Sequence, residues 1–279
     1  MKEYKVDCLI IGGGPAGVSA ALQLKKRDVD FILVEKKAIG GLVSLARKIT
    51  NSPLIYGKTG IEVVNIMRNA LKKSGIEPVF DKITNVEKSG EYNAFGEYSY
   101  KVKSIIIATG TKPKKLIDEN YRNVFYEYDK IITNKEIKNV GVIGQGEIAV
   151  DQALSLYDRG FDVNIYFKST LPNINLELLG ELKKSKIKII NNAKFISIEE
   201  NTNFTTYSYK KSNIVYKINF DALLIAVGRS KQIIQLENTN DTNGIQITDN
   251  ITKTGMNYIS RACYSGINAA ENIFKYLGD

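Results

Sequence analysis

The chain has 279 residues, of which 43% are hydrophobic and 25% are charged, and its formal net charge is +9. This length favours two modest cores over one, because single cores stop growing at roughly 250–300 residues. The absence of histidine excludes Ser-His and Cys-His nucleophiles and imidazole metal sites, and no apolar run approaches the roughly 20 residues that span a bilayer.

The first predicted unit is a strand, a glycine turn, a helix and a second strand. Residues 4–11 are mostly apolar, as in a strand buried on both faces of a parallel sheet, and they run directly into three glycines. We predict a helix over residues 16–26 and a strand over residues 31–34 that ends in Glu35. This order is typical of a dinucleotide-binding βαβ unit.

The glycine turn carries the chemistry of this unit. Gly12 permits the tight turn, Gly14 lets the backbone approach a pyrophosphate, and Gly17 lets the helix pack on the strand. The N-terminus of the helix supplies unpaired N–H groups and a partial positive charge for that pyrophosphate. Glu35, at the tip of the second strand, is placed to accept hydrogen bonds from an adenosine ribose. The pattern therefore predicts a bound dinucleotide.

The remainder of the first half is predicted to combine one helix with short strands. Alternating segments around residues 79, 83 and 92–102 indicate β hairpins, and residues 105–107 indicate another buried strand. The pattern over residues 60–73 predicts a helix with four apolar residues broadly on one side: Ile61, Val64, Ile66 and Leu71.

The same order of elements then begins again. We predict a strand over residues 140–143, a helix to about residue 157, a strand over 163–167, short β segments between 187 and 220, and a strand over 223–225. An amphipathic helix over about residues 258–276 is expected to return to the first domain. The predicted fold is α/β, with two Rossmann-like three-layer domains, the second (113–229) inserted in the first (1–112 and 230–279).

The second glycine turn also predicts a dinucleotide site. Gly144 and Gly146 match the first two glycines, and Ala149 stands at the helix-packing position, where a methyl group is tolerable. The strand that follows ends without the acid expected for an NAD ribose, while Lys168 is placed to meet a 2′-phosphate. We therefore favour NADP(H) over NAD(H); the alternative is a domain that keeps the fold and binds neither.

Together these segments resemble the flavoproteins with two dinucleotide domains, and among them the low-molecular-weight thioredoxin reductases. The likeness covers nearly the whole chain and rests on six segments: 12–17 with Glu35, 40–41, 48–53, 108–110, 144–151 and 226–229. It implies FAD in the first domain, NADPH in the second, and a homodimer. By the resemblance, Asn51 would contact the flavin, and Asp249 would contact its ribityl–pyrophosphate region.

Candidate contacts follow for each nucleotide. Those for FAD are Gly12, Gly14, Pro15, Ala16, Gly17, Glu35, Lys36, Gly41, Asn51, Thr109, Gly110, Asp249 and Ile259. Those for the nicotinamide nucleotide are Gly144, Gly146, Glu147 and Lys168. No catalytic side chain and no metal ligand is assigned, because the flavin itself accepts the hydride and the protein positions it.

The sequence also departs from this family. The C-x-x-C of the family is absent, since the corresponding residues 126–138 hold no cysteine, and a dithiol relay is therefore excluded. The paired arginines that hold the NADPH phosphate are represented by Lys168 alone, Leu42 stands where a glutamine is usual, and Thr248 replaces a glycine. Cys8, in the first strand, and Cys263, in the last helix, are both interpreted as core residues.

These observations predict an FAD-dependent NAD(P)H oxidoreductase that exchanges electrons with an external partner. The basic residues form short clusters that indicate solvated faces or an acidic redox partner of the ferredoxin or flavodoxin type, and no nucleic-acid or membrane partner. Two alternatives are a flavoprotein reduced by a protein carrier, with a vestigial nicotinamide site, and a flavin-holding subunit of a larger complex. No signal-peptide segment precedes the glycines, so we expect a soluble, cytoplasmic protein.

Overall fold

The computed structural model describes residues 2–172, 174–232, 234–237, 242–248 and 258–278. The chain divides into two compact units, Met1–Lys112 with Lys231–Asp279, and Pro113–Ser230. Within the part of the chain that is described, no helix is both long and apolar enough to cross a membrane.

The beginning of the chain supplies most of the first unit. Helix α2 there starts at a capping box, in which Glu62 N donates to Thr59 Oγ1 at 3.3 Å and Thr59 N donates to Glu62 Oε2 at 2.8 Å. Two short 3₁₀ turns, Gly41–Leu45 and Pro53–Ile55, precede this helix. The elements in chain order are β1 Glu3–Ile11, α1 Pro15–Lys26, β2 Phe31–Glu35, α2 Gly60–Lys73, β3 Val79–Phe80, β4 Asn85–Ser89, β5 Glu91–Phe95 and β6 Ser99–Ile107.

The middle of the chain carries the elements of the second unit, and the last ones return to the first unit. The middle elements are β7 Thr111–Pro113, β8 Val124–Phe125, α3 Asp129–Ile132, β9 Asn139–Ile143, α4 Glu147–Tyr157, β10 Asp162–Tyr166, α5 Leu176–Lys184, β11 Lys188–Ile190, β12 Lys194–Glu200, β13 Thr205–Lys211, β14 Ile214–Phe220, β15 Ala222–Ile225 and β16 Arg229–Lys231. The last elements are β17 Gln235–Glu237, β18 Ile245–Ile247 and α6 Ile259–Gly278. β7 and β16 lie at the two points where the chain passes between the units, and they pair as a small separate sheet.

The sheet of the first unit has the strand order β17-β4-β5-β6-β1-β2-β3, and β18 also pairs with β6. β1 runs parallel to β2 and β6, with Ile11 paired to Val34 on one side and Ile107 on the other. β5 pairs antiparallel with the start of β6, whereas β18 pairs parallel with its end. The carboxyl ends of β1, β2, β6 and β18 therefore meet at one edge, where ligands of parallel sheets bind.

Side chains of β1 alternate between two buried faces of this sheet. Cys8 and Ile10 belong to the apolar cluster on the side of α1, α2 and α6. Leu9 and Ile11 belong to the cluster formed with β4, β5 and β6. All four are at most 5% exposed, which explains why this strand is apolar along its carboxyl half.

Among its described residues, the second unit contains a parallel sheet of order β11-β10-β9-β15-β8 and an antiparallel sheet of order β12-β13-β14. An aromatic cluster is centred on Tyr166 at the end of β10. Its ring lies edge-on to Tyr207, at 4.7 Å between centroids, and to Phe220, at 6.0 Å. Burial raises the pKa of both Tyr166 and Tyr207, so their hydroxyls stay protonated.

The predicted α/β fold with two Rossmann-like sheets is confirmed. The face predicted for α2 was wrong in part, because Ile61 and Ile66 are 59% and 45% exposed. The buried stripe of α2 instead follows Val63, Met67 and Leu71, at the spacing of one helical turn, and this stripe leaves both isoleucines outside.

Helix α5 was not predicted from the sequence. Asn175 caps its N-terminus by accepting a hydrogen bond from Leu178 N at 2.9 Å, a signal that the sequence contained. Leu182 is the one buried residue within this helix, and Leu176 is 84% exposed, so little of the apolar surface of α5 belongs to the core.

Candidate nucleotide-binding sites

The glycine turn between β1 and α1 is packed closely on its inner side. Gly12 has φ 115°, and a Cβ there would lie 2.4 Å from the carbonyl oxygen of Ala108. A Cβ on Gly17 would lie 1.7 Å from the carbonyl oxygen of Gly12. Both positions therefore require glycine for the turn and for the seating of α1 on the sheet.

The outer side of the same turn is open. A Cβ added to Gly14 would meet nothing within 4 Å, and Gly14 is the N-cap of α1 with extended backbone at φ −77°. Pro15 occupies the first turn of the helix, and no side chain caps it. Gly41 borders this opening, because a Cβ there would lie 3.3 Å from Gly14 Cα. A diphosphate therefore has room to approach the unpaired N–H groups of the first turn.

Glu35 lies beside this turn at the end of β2 and is 8% exposed. Its Oε2 accepts a hydrogen bond from Gly13 N at 2.7 Å, and its Oε1 accepts one from Lys37 N at 2.9 Å. Each carboxylate oxygen keeps a further lone pair, so the group can also accept hydrogen bonds from sugar hydroxyls. The turn and the acid together fit the diphosphate and the ribose of a dinucleotide such as FAD.

Three further predicted contacts meet around Gln232, a residue that the sequence analysis missed. Lys36 Nζ donates to Gln232 Oε1 at 3.0 Å, and Thr109 Oγ1 donates to the Gln232 carbonyl at 2.7 Å. Gln232 N in turn donates to the carbonyl of Gly110 at 3.0 Å. These bonds join the carboxyl ends of β2 and β6. Each of the three spans more than 100 residues along the chain, a separation that no local sequence pattern reveals.

The remaining predicted FAD contacts differ in burial and in the elements that they contact. Ala16 is buried, and its backbone packs against α6, where a Cβ on Gly266 would lie 2.0 Å from the Ala16 carbonyl oxygen. Asn51 is exposed, and Ile259, at the first position of α6, is half-buried. Ser260 Oγ donates to Ser52 Oγ at 3.3 Å and brings the start of α6 to the Asn51 segment. Asp249 lies outside the described residues.

The turn between β9 and α4 repeats this geometry in the second unit. Gly144 has φ 155°, and a Cβ there would lie 2.3 Å from the Ala226 carbonyl oxygen. A Cβ on Gly146 would meet nothing within 4 Å, as at Gly14. The second turn therefore also leaves an open approach to a helix N-terminus, as its predicted nucleotide requires.

The side chains around the second turn differ from those of the first. Lys168 is exposed just beyond β10. Glu147, at the start of α4, accepts hydrogen bonds at its Oε1 from Asn175 Nδ2 at 2.9 Å and from Asn175 N at 3.3 Å. Gln145 was not predicted as a contact, yet its Oε1 accepts from Ser169 N at 3.1 Å and from Ser169 Oγ at 3.0 Å.

The two cysteines occupy different environments. Cys8 is 0% exposed, and burial raises the pKa of its thiol to about 12. Cys263 is half-buried on α6, so its interpretation as a core residue was wrong: the buried stripe of α6 passes through Ala262 and Gly266 and leaves Cys263 at its border. Both thiols are free.

We predict that a thiol reagent modifies one cysteine per folded chain. Cys263 should react, whereas Cys8 should be protected until the protein unfolds, because its reactive thiolate is both inaccessible and disfavoured. Mass spectrometry after brief labelling, with and without denaturant, measures both sites. The Cys263→Ser protein is the control and should remain unlabelled while folded; rapid labelling of Cys8 in that protein would contradict the prediction.

Comparisons with known proteins agree with this architecture. Residues 6–260 match the family model described as pyridine nucleotide-disulphide oxidoreductase. The chain is 26% identical over 274 residues to a thioredoxin reductase of Borreliella burgdorferi, covering 91% of this chain and 82% of that protein. It is 30% identical over 197 residues to a ferredoxin–NADP reductase of Ignicoccus hospitalis, covering 67% and 64%. The crystal structure of Lactococcus lactis thioredoxin reductase superposes with a TM-score of 0.85 at 24% identity, covering 98% of this chain and 99% of that one.

Proposed function

Because the chain belongs to the pyridine nucleotide-disulphide oxidoreductase family, we propose that it exchanges electrons between NAD(P)H and an external redox protein without an internal redox disulfide. Membership makes it a flavin oxidoreductase that uses FAD and NAD(P)H. Bound FAD supplies the redox chemistry, since a flavin accepts a hydride and releases electrons singly or in pairs.

We assign the binding of FAD to residues of the first unit. The open side of the turn at Gly14 would receive the diphosphate, and the N–H groups at the start of α1 would stabilise its charge. Glu35, already held by Gly13 N and Lys37 N, would accept the ribose hydroxyls. Because two backbone N–H groups fix the carboxylate before the ligand arrives, little ordering is required on binding.

The observation that carries the proposal is the position of the two cysteines. Cys8 is inside the central sheet with its thiol protonated, and Cys263 is on a helix 255 positions later in the chain. Neither belongs to a C-x-x-C pair, and a lone thiol has no resolving partner with which to form a disulfide. Electrons from the flavin would therefore pass directly to the partner.

The partner that fits best is an acidic carrier of the ferredoxin or flavodoxin type. The net charge of +9 speeds encounter with an acidic surface and makes the rate depend on ionic strength. One of the relatives is a ferredoxin–NADP reductase, whose name states such a partner. Electrons can flow in either direction between the carrier and the nicotinamide, since the flavin accepts them from both.

An anaerobic reduction experiment tests this function. We expect NADPH or NADH to bleach the flavin of the holoprotein, and the reduced protein to pass electrons to ferredoxin or flavodoxin at a rate that falls as salt is added. Thioredoxin, offered in parallel, should not be reduced, because its disulfide needs a dithiol relay. The unmodified protein and the Cys263→Ser protein should behave alike.

Three other outcomes would contradict the proposal in different ways. Reduction of thioredoxin as fast as of ferredoxin would show a thiol route. A flavin that ferredoxin reduces and that neither nicotinamide nucleotide bleaches would identify the second unit as vestigial. A flavin that no donor reduces would indicate a structural subunit.

We also propose that the chain forms a homodimer. Support comes from apolar side chains exposed on one face of α6, where Tyr264 is 69% and Ile267 is 42% exposed at a spacing of three residues.

A further inference from the structure

The two glycine turns can be compared position by position, because their strands have the same register. Ile11 pairs with Val34 in the first unit, and Ile143 pairs with Tyr166 in the second. Gly12 N donates to the Val34 carbonyl at 2.8 Å, just as Gly144 N donates to the Tyr166 carbonyl at 3.2 Å. The turn residues 12 and 144 and the strand residues 34 and 166 therefore correspond.

This register gives three further correspondences, which differ in their chemistry. Gln145 stands at the position of Gly13, Phe167 at the position of Glu35, and Ser169 at the position of Lys37. Phe167 is 1% exposed and offers no acceptor. The second unit therefore lacks the carboxylate that the first unit places at the end of its second strand.

Gln145 replaces one function of that carboxylate from the other side of the turn. In the first unit, Glu35 Oε1 accepts from Lys37 N at 2.9 Å. In the second, Gln145 Oε1 accepts from the equivalent Ser169 N at 3.1 Å, and also from Ser169 Oγ at 3.0 Å. With its oxygen held in this way, the amide presents an N–H₂ group, a donor, where the first unit presents acceptors.

We propose that Gln145 determines the nucleotide specificity of the second unit: it replaces the ribose-binding acid with a neutral donor and, with Lys168, selects a nicotinamide nucleotide that carries a 2′-phosphate. This inference rests on the proposed function, which gives the second unit a nicotinamide nucleotide. Gln145 Oε1 accepts from Ser169 N, whereas the equivalent N–H of the first unit, Lys37 N, donates to the Glu35 carboxylate. A neutral amide therefore stands at this N–H in place of a negative charge.

The charges around the turn agree with this selection. A 2′-phosphate needs donors and positive charge, which the amide of Gln145 and the exposed ammonium of Lys168 supply. A free ribose 2′-hydroxyl needs an acceptor, which a carboxylate provides better than an amide N–H₂. The one acid of the turn, Glu147, is directed to Asn175 by two hydrogen bonds.

The test is the ratio of affinities for NADH and NADPH, measured anaerobically by equilibrium dialysis on holoprotein whose flavin has been photoreduced beforehand, so that no hydride is transferred. The unsubstituted protein should bind NADPH more tightly. Gln145→Glu keeps an oxygen for Ser169 N and adds the missing charge, so it should shift the ratio toward NADH by at least about 10-fold, as expected for losing a hydrogen bond to a charged group. Lys168→Met should weaken NADPH binding and leave NADH binding unchanged.

Lys210→Met is the matched control, because Lys210 is an exposed lysine of β13 in the same unit and its loss changes the net charge equally. It should leave the ratio unchanged. If the unsubstituted protein binds NADPH and the Gln145→Glu ratio does not move, the inference is overturned while the proposed function stands. A preference of the unsubstituted protein for NADH also overturns the inference alone. Binding of neither nucleotide overturns both the inference and the nicotinamide part of the proposed function.

Discussion

Gly14→Val should lower the affinity for FAD by about 30-fold or more, equivalent to about 2 kcal/mol of binding free energy, in a protein that still folds. Folding should be preserved because Gly14 has φ −77°, which valine also adopts, and because its Cβ would meet no protein atom within 4 Å. Binding should suffer because the valine methyl groups would fill the space through which a diphosphate approaches the start of α1.

Gly146→Val is the matched control for this substitution. Gly146 has the same extended backbone, with φ −92°, and the same open surroundings, but it belongs to the turn of the second unit. It should leave FAD affinity unchanged and abolish the binding of the nicotinamide nucleotide. Titration of each deflavinated protein with FAD, followed by flavin fluorescence, measures the first effect. Equal FAD affinity for Gly14→Val and the unsubstituted protein would place the flavin elsewhere.

The two turns were predictable because their constraints are local. Gly12 and Gly144 adopt φ 115° and 155°, and both are followed two positions later by a glycine with open surroundings. The conformation of each turn therefore requires glycine at these positions whatever the rest of the chain does. The strands on either side are recognisable from their continuous apolar residues. Glu35 was predictable from the same βαβ unit, because it is the last residue of β2 and the end of β2 lies beside the turn.

The contacts that the sequence analysis missed depend on separation along the chain. Gln232 joins Thr109 and Gly110 only because the chain leaves the first unit after β6 and returns after the second unit. Gln145 was visible within the glycine motif, but its function depends on Ser169, 24 residues later, and on the register that brings the end of β10 beside β9. Such pairs require the topology of the sheet before they can be recognised.

Asp81 shows how the framework beside the FAD site is stabilised. It follows β3 and is 5% exposed. Its carboxylate accepts hydrogen bonds from Lys82 N at 2.6 Å, Glu97 N at 2.8 Å, Tyr98 N at 3.1 Å and Tyr100 OH at 2.8 Å. Asp81 N also donates to the Glu35 carbonyl at 3.1 Å. The carboxylate thus fixes the β5–β6 turn to the edge of the sheet next to the ribose-binding acid.

We therefore expect Asp81→Ala to lower the free energy of unfolding by about 3 kcal/mol, because four donors lose a charged acceptor in a buried site. Asp81→Asn should cost less, since its amide keeps one acceptor oxygen, and Asp162→Ala, at an exposed position of β10, should cost little. Urea unfolding followed by circular dichroism measures all three. A loss for Asp81→Ala no larger than for Asp162→Ala would contradict the role assigned to this network.

The Asp81 carboxylate should also make the free energy of unfolding fall as the pH is lowered into the acid range. Burial opposes ionisation of Asp81, but hydrogen bonds from Glu97 N, Tyr100 OH, Tyr98 N and Lys82 N outweigh it and lower the pKa of the folded state. The stabilisation is therefore fully present above the unfolded pKa of about 3.9 and is lost as the pH falls through the lower folded pKa. The difference in unfolding free energy between the unsubstituted protein and Asp81→Asn should be constant near neutrality and shrink below about pH 4. A difference that grows on acidification would mean that Asp81 is protonated in the folded protein and that its hydrogen bonds run in the opposite sense.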